Sequence, residues 1–316
     1  MSVTAHSKVS IVGAGAVGSS MAYAMLIRQS AQDIVLYDTN TAKVAAEVLD
    51  LAHGTQFTGN STINGGDDIA LTANSDVIVI TAGAKQKPGQ TRLELAGVNV
   101  GILRELLPKL LKLSPDAIFL LVTNPCDVLA TVAIEITGLP ANRVFSSGTV
   151  LDTSRLRWLL GDRLGVNTSS VHALIIGEHG DSEFPLWSQA SIGPTALSEW
   201  RDPNGQSLTH SELDAIANLV KRAAYRVIEG KGATNYAIGL SGARIVEAIL
   251  TDENSILPVS SLLTEYHGVS GVAMSVPTLV NRRGAARTIQ VNMSADELSL
   301  FTKSASAIAD SLQSVR

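Results

Sequence analysis

The sequence predicts an α/β protein in two parts, a doubly wound parallel sheet followed by an α+β domain, and three observations carry that prediction. Over roughly the first 145 residues, short apolar runs alternate with stretches long enough to be crossover helices. A glycine-spaced turn, Gly13-Ala-Gly-Ala-Val-Gly18, stands between the first run and the first helical stretch. After residue 146 the pattern changes to long amphipathic helices with brief strand-like pieces. The expected domains are therefore 1–146 and 147–316.

The elements follow in order. Lys8–Val12 is an apolar run ending at glycine, and Ala16–Ile27 is long enough for a helix, which gives strand, tight turn, helix. Asp33–Tyr37 is a second strand, closed by Asp38. A helix from Thr41 sets Val44, Val48 and Leu51 on one face and stops at Gly54, a residue suited to a left-handed cap. Further strands are expected at Val77–Thr81, Ala117–Val122 and Arg143–Phe145. Between two of these elements, Gly83–Thr91 is polar and carries Pro88 and two glycines, so it reads as a loop able to move, or simply as a solvated surface loop. In the second part, Val171–Ile176 is strand-like, and Glu212–Glu229 aligns Leu213, Ile216, Val220, Ala223 and Val227. Ser294-Ala-Asp-Glu297 is a capping-box pattern, and Leu298, Phe301, Ala305, Ile308 and Leu312 follow at helical spacing.

Composition narrows the function classes. The 316 residues suffice for two well-buried cores without a disulfide or metal staple. A hydrophobic content of 45% with 17% charged residues is globular, and a net charge of -5 leaves no basic footprint for nucleic acid. The single cysteine, Cys126, excludes an intrachain disulfide, and the lack of CxxC or HExxH spacing gives no metal site. A reducing, cytoplasmic setting is expected. Lys8 followed by the apolar run Val9–Leu26 imitates a signal peptide, but such a segment gains nothing from glycines at phosphate-loop spacing. No membrane partner is expected.

The glycine turn points to a dinucleotide. The first glycine permits the tight turn, the second lets backbone approach a pyrophosphate, and the third allows the helix to pack on the strand. Asp38, twenty residues past Gly18, is placed to accept hydrogen bonds from both ribose hydroxyls and would repel a 2′-phosphate, which favours NAD over NADP. Taken alone, Asp38 is also a solvated strand-end acid. This is a Rossmann pattern. Thr123-Asn-Pro-Cys-Asp127 puts Asn124 at the carboxyl edge of the sheet, where ligands of such folds collect, although an Asn before proline also serves as a turn residue.

The chemistry-bearing residues come from three segments. In Gly148-Thr-Val-Leu-Asp-Thr-Ser-Arg155, Asp152 and Arg155 share a helix face, as partners of a ligand or of each other. His179 sits in Gly177-Glu-His-Gly-Asp-Ser182, a turn in which a histidine is either a titratable catalyst or a hydrogen-bonded structural residue. Arg92 stands at the base of the 83–91 loop. A base, a carboxylate, guanidiniums and a dinucleotide loop in one chain read as hydride-transfer chemistry.

These residues resemble those of the L-lactate dehydrogenases, within the lactate and malate dehydrogenase superfamily. The likeness runs over nearly the whole chain, from Gly13 through Asp38, Gln86, Arg92, Asn124, Asp152, Arg155 and His179 to Thr234 in Gly232-Ala-Thr-Asn-Tyr-Ala-Ile238. The resemblance implies that His179 is the proton donor in pyruvate reduction and the acceptor in lactate oxidation. It implies that Asp152 fixes the imidazole tautomer, Arg155 grips the substrate carboxylate, and Arg92 polarises the ketone as the loop closes. Gly13, Gly15, Val17, Gly18, Asp38, Thr81, Ala82, Gly83, Asn124 and Ile238 would contact NAD, with Asn124 also at the reacting oxygen. Gln86 and Thr234 would leave a neutral pocket for the methyl of pyruvate, where related malate dehydrogenases carry an arginine in the loop. Enzymes of 2-hydroxyisocaproate type, or a malate dehydrogenase, are the alternatives. A NAD-binding protein without activity would be expected to have lost one of the four reacting groups, and all four are present.

The resemblance extends to bacterial enzymes that respond to fructose 1,6-bisphosphate, through Arg157 and His172. Those residues would bind its phosphates across a subunit interface, or stand as ordinary interface or surface residues. A homotetramer is what the family implies.

Overall fold

A computed structural model describes residues 7–84 and 92–316, without the side chains of 92–94. The chain runs β1 (Lys8–Val12), α1 (Ala16–Arg28), β2 (Asp33–Tyr37), α2 (Thr41–His53), β3 (Thr62–Gly66), β4 (Val77–Ile80), α3 (Arg92–Leu113), β5 (Ile118–Leu121), α4 (Cys126–Thr137) and β6 (Val144–Ser146). It continues α5 (Val150–Leu164), β7 (Val171–His172), β8 (Ile175–Ile176), β9 (Phe184–Pro185), β10 (Ser191–Ile192), β11 (Thr195–Ala196), α6 (His210–Lys231) and α7 (Tyr236–Leu250). Strands β12 (Ser255–Leu257), β13 (Ser260–Leu262), β14 (Ala273–Ser275), β15 (Thr278–Asn281) and β16 (Gly284–Thr288) precede the last helix, α8 (Ala295–Val315).

The main sheet has the order β14-β13-β6-β5-β4-β1-β2-β3, parallel from β6 to β3. Its inner strands are largely apolar on both faces because helices cover both. Ile78, Ile80, Phe119 and Leu121 point into a core shared with Leu103 and Leu107 of α3, Leu129 of α4 and Ile308 of α8. Their neighbours Val77, Val79, Ile118 and Leu120 point the other way, against Met21 and Met25 of α1 and Val246 of α7. Each such side chain removed from water contributes about 1.5–3 kcal/mol, which is what holds the layers together. A separate core of Leu156, Leu160, Ile175, Ile216 and Val220 joins α5 and α6 to the small strands.

The doubly wound sheet and the apolar runs agree with the sequence pattern, and the Lys8–Leu26 segment is a strand, turn and helix of that sheet. One strand lies outside the sequence pattern, and three readings need correction. β3 is a polar, partly exposed edge strand whose sequence, Thr-Ile-Asn-Gly-Gly, carries no apolar signature. Gly54 ends α2 at φ -81, not in a left-handed cap, because the chain passes directly into a short 3-10 turn at Thr55–Phe57. Val171–Ile176 is two strands in different sheets, split at Ala173 and Leu174. The apolar face of α6 is buried only at Ile216 and Val220, and Val227 is exposed. In addition, β13 joins the main sheet antiparallel to β6 and β14 pairs antiparallel with β13, so the C-terminal half completes the N-terminal sheet.

Candidate active site

The glycine turn has the geometry its spacing demands. Gly13 lies at φ +113, where a Cβ would stand 2.7 Å from the Ala82 nitrogen. A Cβ on Gly18 would lie 1.9 Å from the Gly13 carbonyl oxygen, whereas one on Gly15 would meet nothing within 4 Å. The open space at Gly15 and the closed one at Gly18 are what backbone approach to a pyrophosphate and helix packing require. No side chain caps the N-terminus of α1, and Val17 is half-buried in its first turn, so free N–H groups face that space. Asp38, at the end of β2, accepts from the Ala14 N–H at 2.7 Å and from the Asn40 N–H at 2.9 Å. Each oxygen keeps a lone pair for a ribose hydroxyl. These residues fit NAD.

The edge of the next strands closes on this turn. Thr81 Oγ1 donates to the Gly13 carbonyl at 2.9 Å, and the Ala82 N–H donates to that of Val12 at 2.7 Å. Thr123 Oγ1 donates to the Ala82 carbonyl, and a Cβ on Gly83 would come within 2.3 Å of the Thr123 methyl. Asn124 is exposed at the end of β5, joined to Pro125 by a cis peptide bond. Buried Asn99 of α3 ties the edge together, accepting from the Ala84 N–H and donating to the Asn124 carbonyl, both at 2.8 Å. The 85–91 segment with Gln86, and the side chain of Arg92, lie outside the described residues.

His179, Asp152 and Arg155 meet. Helix α5 is set against β8 by Thr149 Oγ1, which donates to the Ile175 carbonyl at 2.6 Å, and by Thr153 Oγ1, which accepts the Ile175 N–H at 2.9 Å. That brings the turn after β8 over the first turn of α5. The His179 Nδ1–H points to Asp152 Oδ2 at 2.7 Å, and Arg155 Nη1 donates to Asp152 Oδ1 at 2.6 Å. Asp152 is 2% exposed in its side chain, Arg155 17% and His179 25%. The pairing of Asp152 with Arg155 and a place in the site therefore hold together.

Electrostatics follow from this arrangement. Burial opposes ionisation of Asp152, but the His179 imidazole and the Arg155 guanidinium outweigh it and hold the carboxyl below its usual range. Burial likewise disfavours a charged His179, yet the Asp152 carboxylate and its hydrogen bond, with Glu183 and Asp127 beyond, raise the ring to about 9. With Nδ1 committed to Asp152, Nε2 is the nitrogen free to exchange a proton.

Sequence reasoning missed three contributors: Asn99, Asp127 and Glu183. Asp127, fully buried at the start of α4, accepts the His179 backbone N–H at 2.7 Å, and burial raises its carboxyl to about 6 against the pull of His179. A lone acid in the apolar stretch Cys126–Ile134, and an Asn in phase with Leu95, Leu103 and Leu107, were the visible signals.

Thr234 lies in the loop between α6 and α7, and Ile238 in the first turn of α7. Asn235 Nδ2 donates to Ser20 Oγ at 2.8 Å, and Gly239 lies against the Ser20 backbone, so α7 is locked to α1 behind the glycine turn. Arg157 Nε donates to the carbonyl of Ala173, the residue that follows His172, at 3.0 Å. His172 is exposed.

Residues 7–146 match the lactate/malate dehydrogenase, NAD binding domain, and residues 149–316 the lactate/malate dehydrogenase, alpha/beta C-terminal domain. The chain is 50% identical over 304 residues to an L-lactate dehydrogenase of Bifidobacterium animalis subsp. lactis, covering 96% of this chain and 95% of that one. It is 45% identical to an L-lactate dehydrogenase of Synechococcus sp. over 98% of this chain and 99% of that one. The crystal structure of a minor L-lactate dehydrogenase from Enterococcus mundtii, in a ligands-bound form, superposes with a TM-score of 0.94 at 38% identity, covering 98% of both chains. The chain belongs to the lactate/malate dehydrogenase family of NAD-dependent oxidoreductases.

Proposed function

We propose that the protein is an L-lactate dehydrogenase that interconverts pyruvate and L-lactate, with residues 1–146 holding NAD and 147–316 supplying most of the substrate site. The observation that carries the reading is the Asp152 carboxylate shared by His179 at 2.7 Å and Arg155 at 2.6 Å. The nicotinamide supplies or accepts the hydride. His179 Nε2 gives its proton to the pyruvate oxygen, and Asp152 stabilises the imidazolium beforehand and keeps Nδ1 protonated. Arg155, with one nitrogen on Asp152, offers its remaining N–H groups to the substrate carboxylate in a paired geometry that lysine lacks. Arg92 polarises the ketone as negative charge develops on its oxygen. Asn124 binds at the reacting oxygen and the cofactor amide, and Ile238 packs on the nicotinamide.

The choice of pyruvate rests on Gln86 and Thr234, neutral residues that leave a second substrate carboxylate without a cationic partner. The relatives at 50% and 45% identity carry the name L-lactate dehydrogenase, which supports the same choice. Steady-state NADH oxidation with pyruvate, oxaloacetate and 2-ketoisocaproate tests it. Pyruvate is expected to give the highest kcat/KM, and a preference for either rival assigns the protein to the malate or 2-hydroxyisocaproate class.

Activation by fructose 1,6-bisphosphate belongs to the same proposal. Burial lowers the pKa of Arg157, and no described carboxylate pairs with it, so a phosphate would supply the missing countercharge. A homotetramer is supported by exposed apolar side chains on three helices, Tyr23 and Ile27 on α1, Trp158 on α5 and Leu240 on α7, a surface suited to a second copy. Among the described residues no helix is long and apolar enough to cross a membrane. We place the protein in the cytoplasm.

A further inference from the structure

We propose that Glu183 is a second proton-holding group of this site, a carboxyl that is neutral while substrate is bound and that takes up its proton together with His179 when the substrate anion enters. The inference rests on the reading of His179 as proton donor and Arg155 as substrate clamp. Glu183 touches neither ketone nor hydride, so it is a positioning residue that acts through the charge of the cluster.

The geometry is specific. Glu183 lies just ahead of β9, four residues past His179, and is only 3% exposed. One side-chain nitrogen or oxygen of each of Asp152, His179 and Glu183 lies within 4.8 Å of the others. The charged groups facing Glu183 are Asp152 and Arg155 from α5, His179 from the turn after β8, and Lys221 from α6. Asp152 commits both oxygens, one to His179 and one to Arg155, so it has no proton to share with Glu183. No described residue gives the Glu183 side chain a hydrogen bond or a close ion pair. An ionised carboxylate buried in that way is costly, and the cost disappears on protonation. Burial and the Asp152 charge accordingly raise Glu183 to about 9, against the pull of His179, Arg155 and Lys221.

The charges explain why the neutral form suits catalysis. With Glu183 protonated, the cluster of Arg155, protonated His179 and ionised Asp152 carries one net positive charge, which a monoanionic 2-oxo acid neutralises. Ionised Glu183 would cancel that charge beforehand and leave the substrate carboxylate facing a neutral, buried site. Because His179 and Glu183 titrate in the same range and feel each other, they release protons as a pair. An entering anion therefore draws protons back onto both.

The test is proton uptake when oxamate, a pyruvate analogue with the same carboxylate, binds the enzyme–NADH complex in weakly buffered solution near pH 9. Wild type is expected to take up about twice as many protons per site as Glu183→Gln, in which only His179 remains to be protonated. Equal uptake in the two proteins overturns the proposal and leaves the reading of His179 intact. Uptake by neither removes that reading, and the role of Glu183 with it. A second measurement needs no variant: infrared difference spectra of the wild type should contain a protonated-carboxyl band that is lost as pH rises through about 9 and restored by oxamate. A protonated-carboxyl signal that titrates only near 6, the range of Asp127, overturns the proposal.

Discussion

His179 is held from both ends, its ring by Asp152 and its backbone N–H by Asp127, so neither the tautomer nor the direction of Nε2 is left to chance. The raised pKa sets the pH dependence. The protonated ring persists below the raised pKa and is lost as pH climbs through about 9, so pyruvate reduction should fall over that range. Lactate oxidation needs the neutral ring and should fall as pH drops below it. Rates in both directions, measured across pH, check the sign, and opposite limbs are expected to share one midpoint. His179→Ala should cut turnover by about 10²–10⁴-fold while NADH affinity stays close to wild type. An equal loss of NADH binding would make the residue structural.

The elements contribute by holding turns, and α8 illustrates it. Its N-terminus is closed by a capping box, with Ser294 Oγ accepting from the Glu297 N–H and Glu297 Oε2 accepting from the Ser294 N–H. Two turns further on, Ser304 Oγ accepts the Glu178 N–H at 2.6 Å, and a Cβ on Gly177 would stand 2.7 Å from that same oxygen. The helix thus braces the turn that carries His179. Ser294→Ala should cost about 1 kcal/mol of stability, the value of a cap, and leave kcat unchanged. Ser304→Ala leaves the Glu178 N–H without its partner, should cost about 1–3 kcal/mol, and should also lower kcat as the turn loses its brace. Urea unfolding beside steady-state kinetics separates the two, and equal kinetic effects would contradict the bracing role.

At the scale of the whole molecule, the two halves are joined through the sheet and through α7 on α1, with ion pairs such as Arg28 to Glu247 at 2.6 Å beside that contact. An effector that bridges copies of the chain would act on this frame from outside, through Arg157 and His172. On the proposed reading, a bisphosphate lying between these residues of two subunits would bridge them and shift the population toward the assembled, substrate-binding state. Fructose 1,6-bisphosphate is accordingly expected to lower the KM for pyruvate near neutral pH, and Arg157→Gln with His172→Ala to abolish that response. Saturation curves with and without effector decide it, since an unchanged wild-type curve or a response that survives the double substitution removes the assignment.

What the sequence by itself determined is the part of the molecule encoded over a few residues. Gly13, Gly15 and Gly18 act within one turn, so their spacing already states which positions tolerate no Cβ and which must stay open. The alternation of apolar runs reports the main sheet because its inner strands are buried on both faces, and it is silent about β3 because an edge strand can stay polar. Asp152 and Arg155 were legible as a pair, being one helical turn apart. The tertiary structure alone decided that His179 would meet Asp152 from 27 residues away and Asp127 from 52, and that Glu183 would face the same cluster. No local rule carries such contacts. They arise when α4, α5, α6 and the strand pair β8–β9 bury their apolar faces together, and a buried carboxyl then takes its charge state from whichever groups that packing has placed beside it.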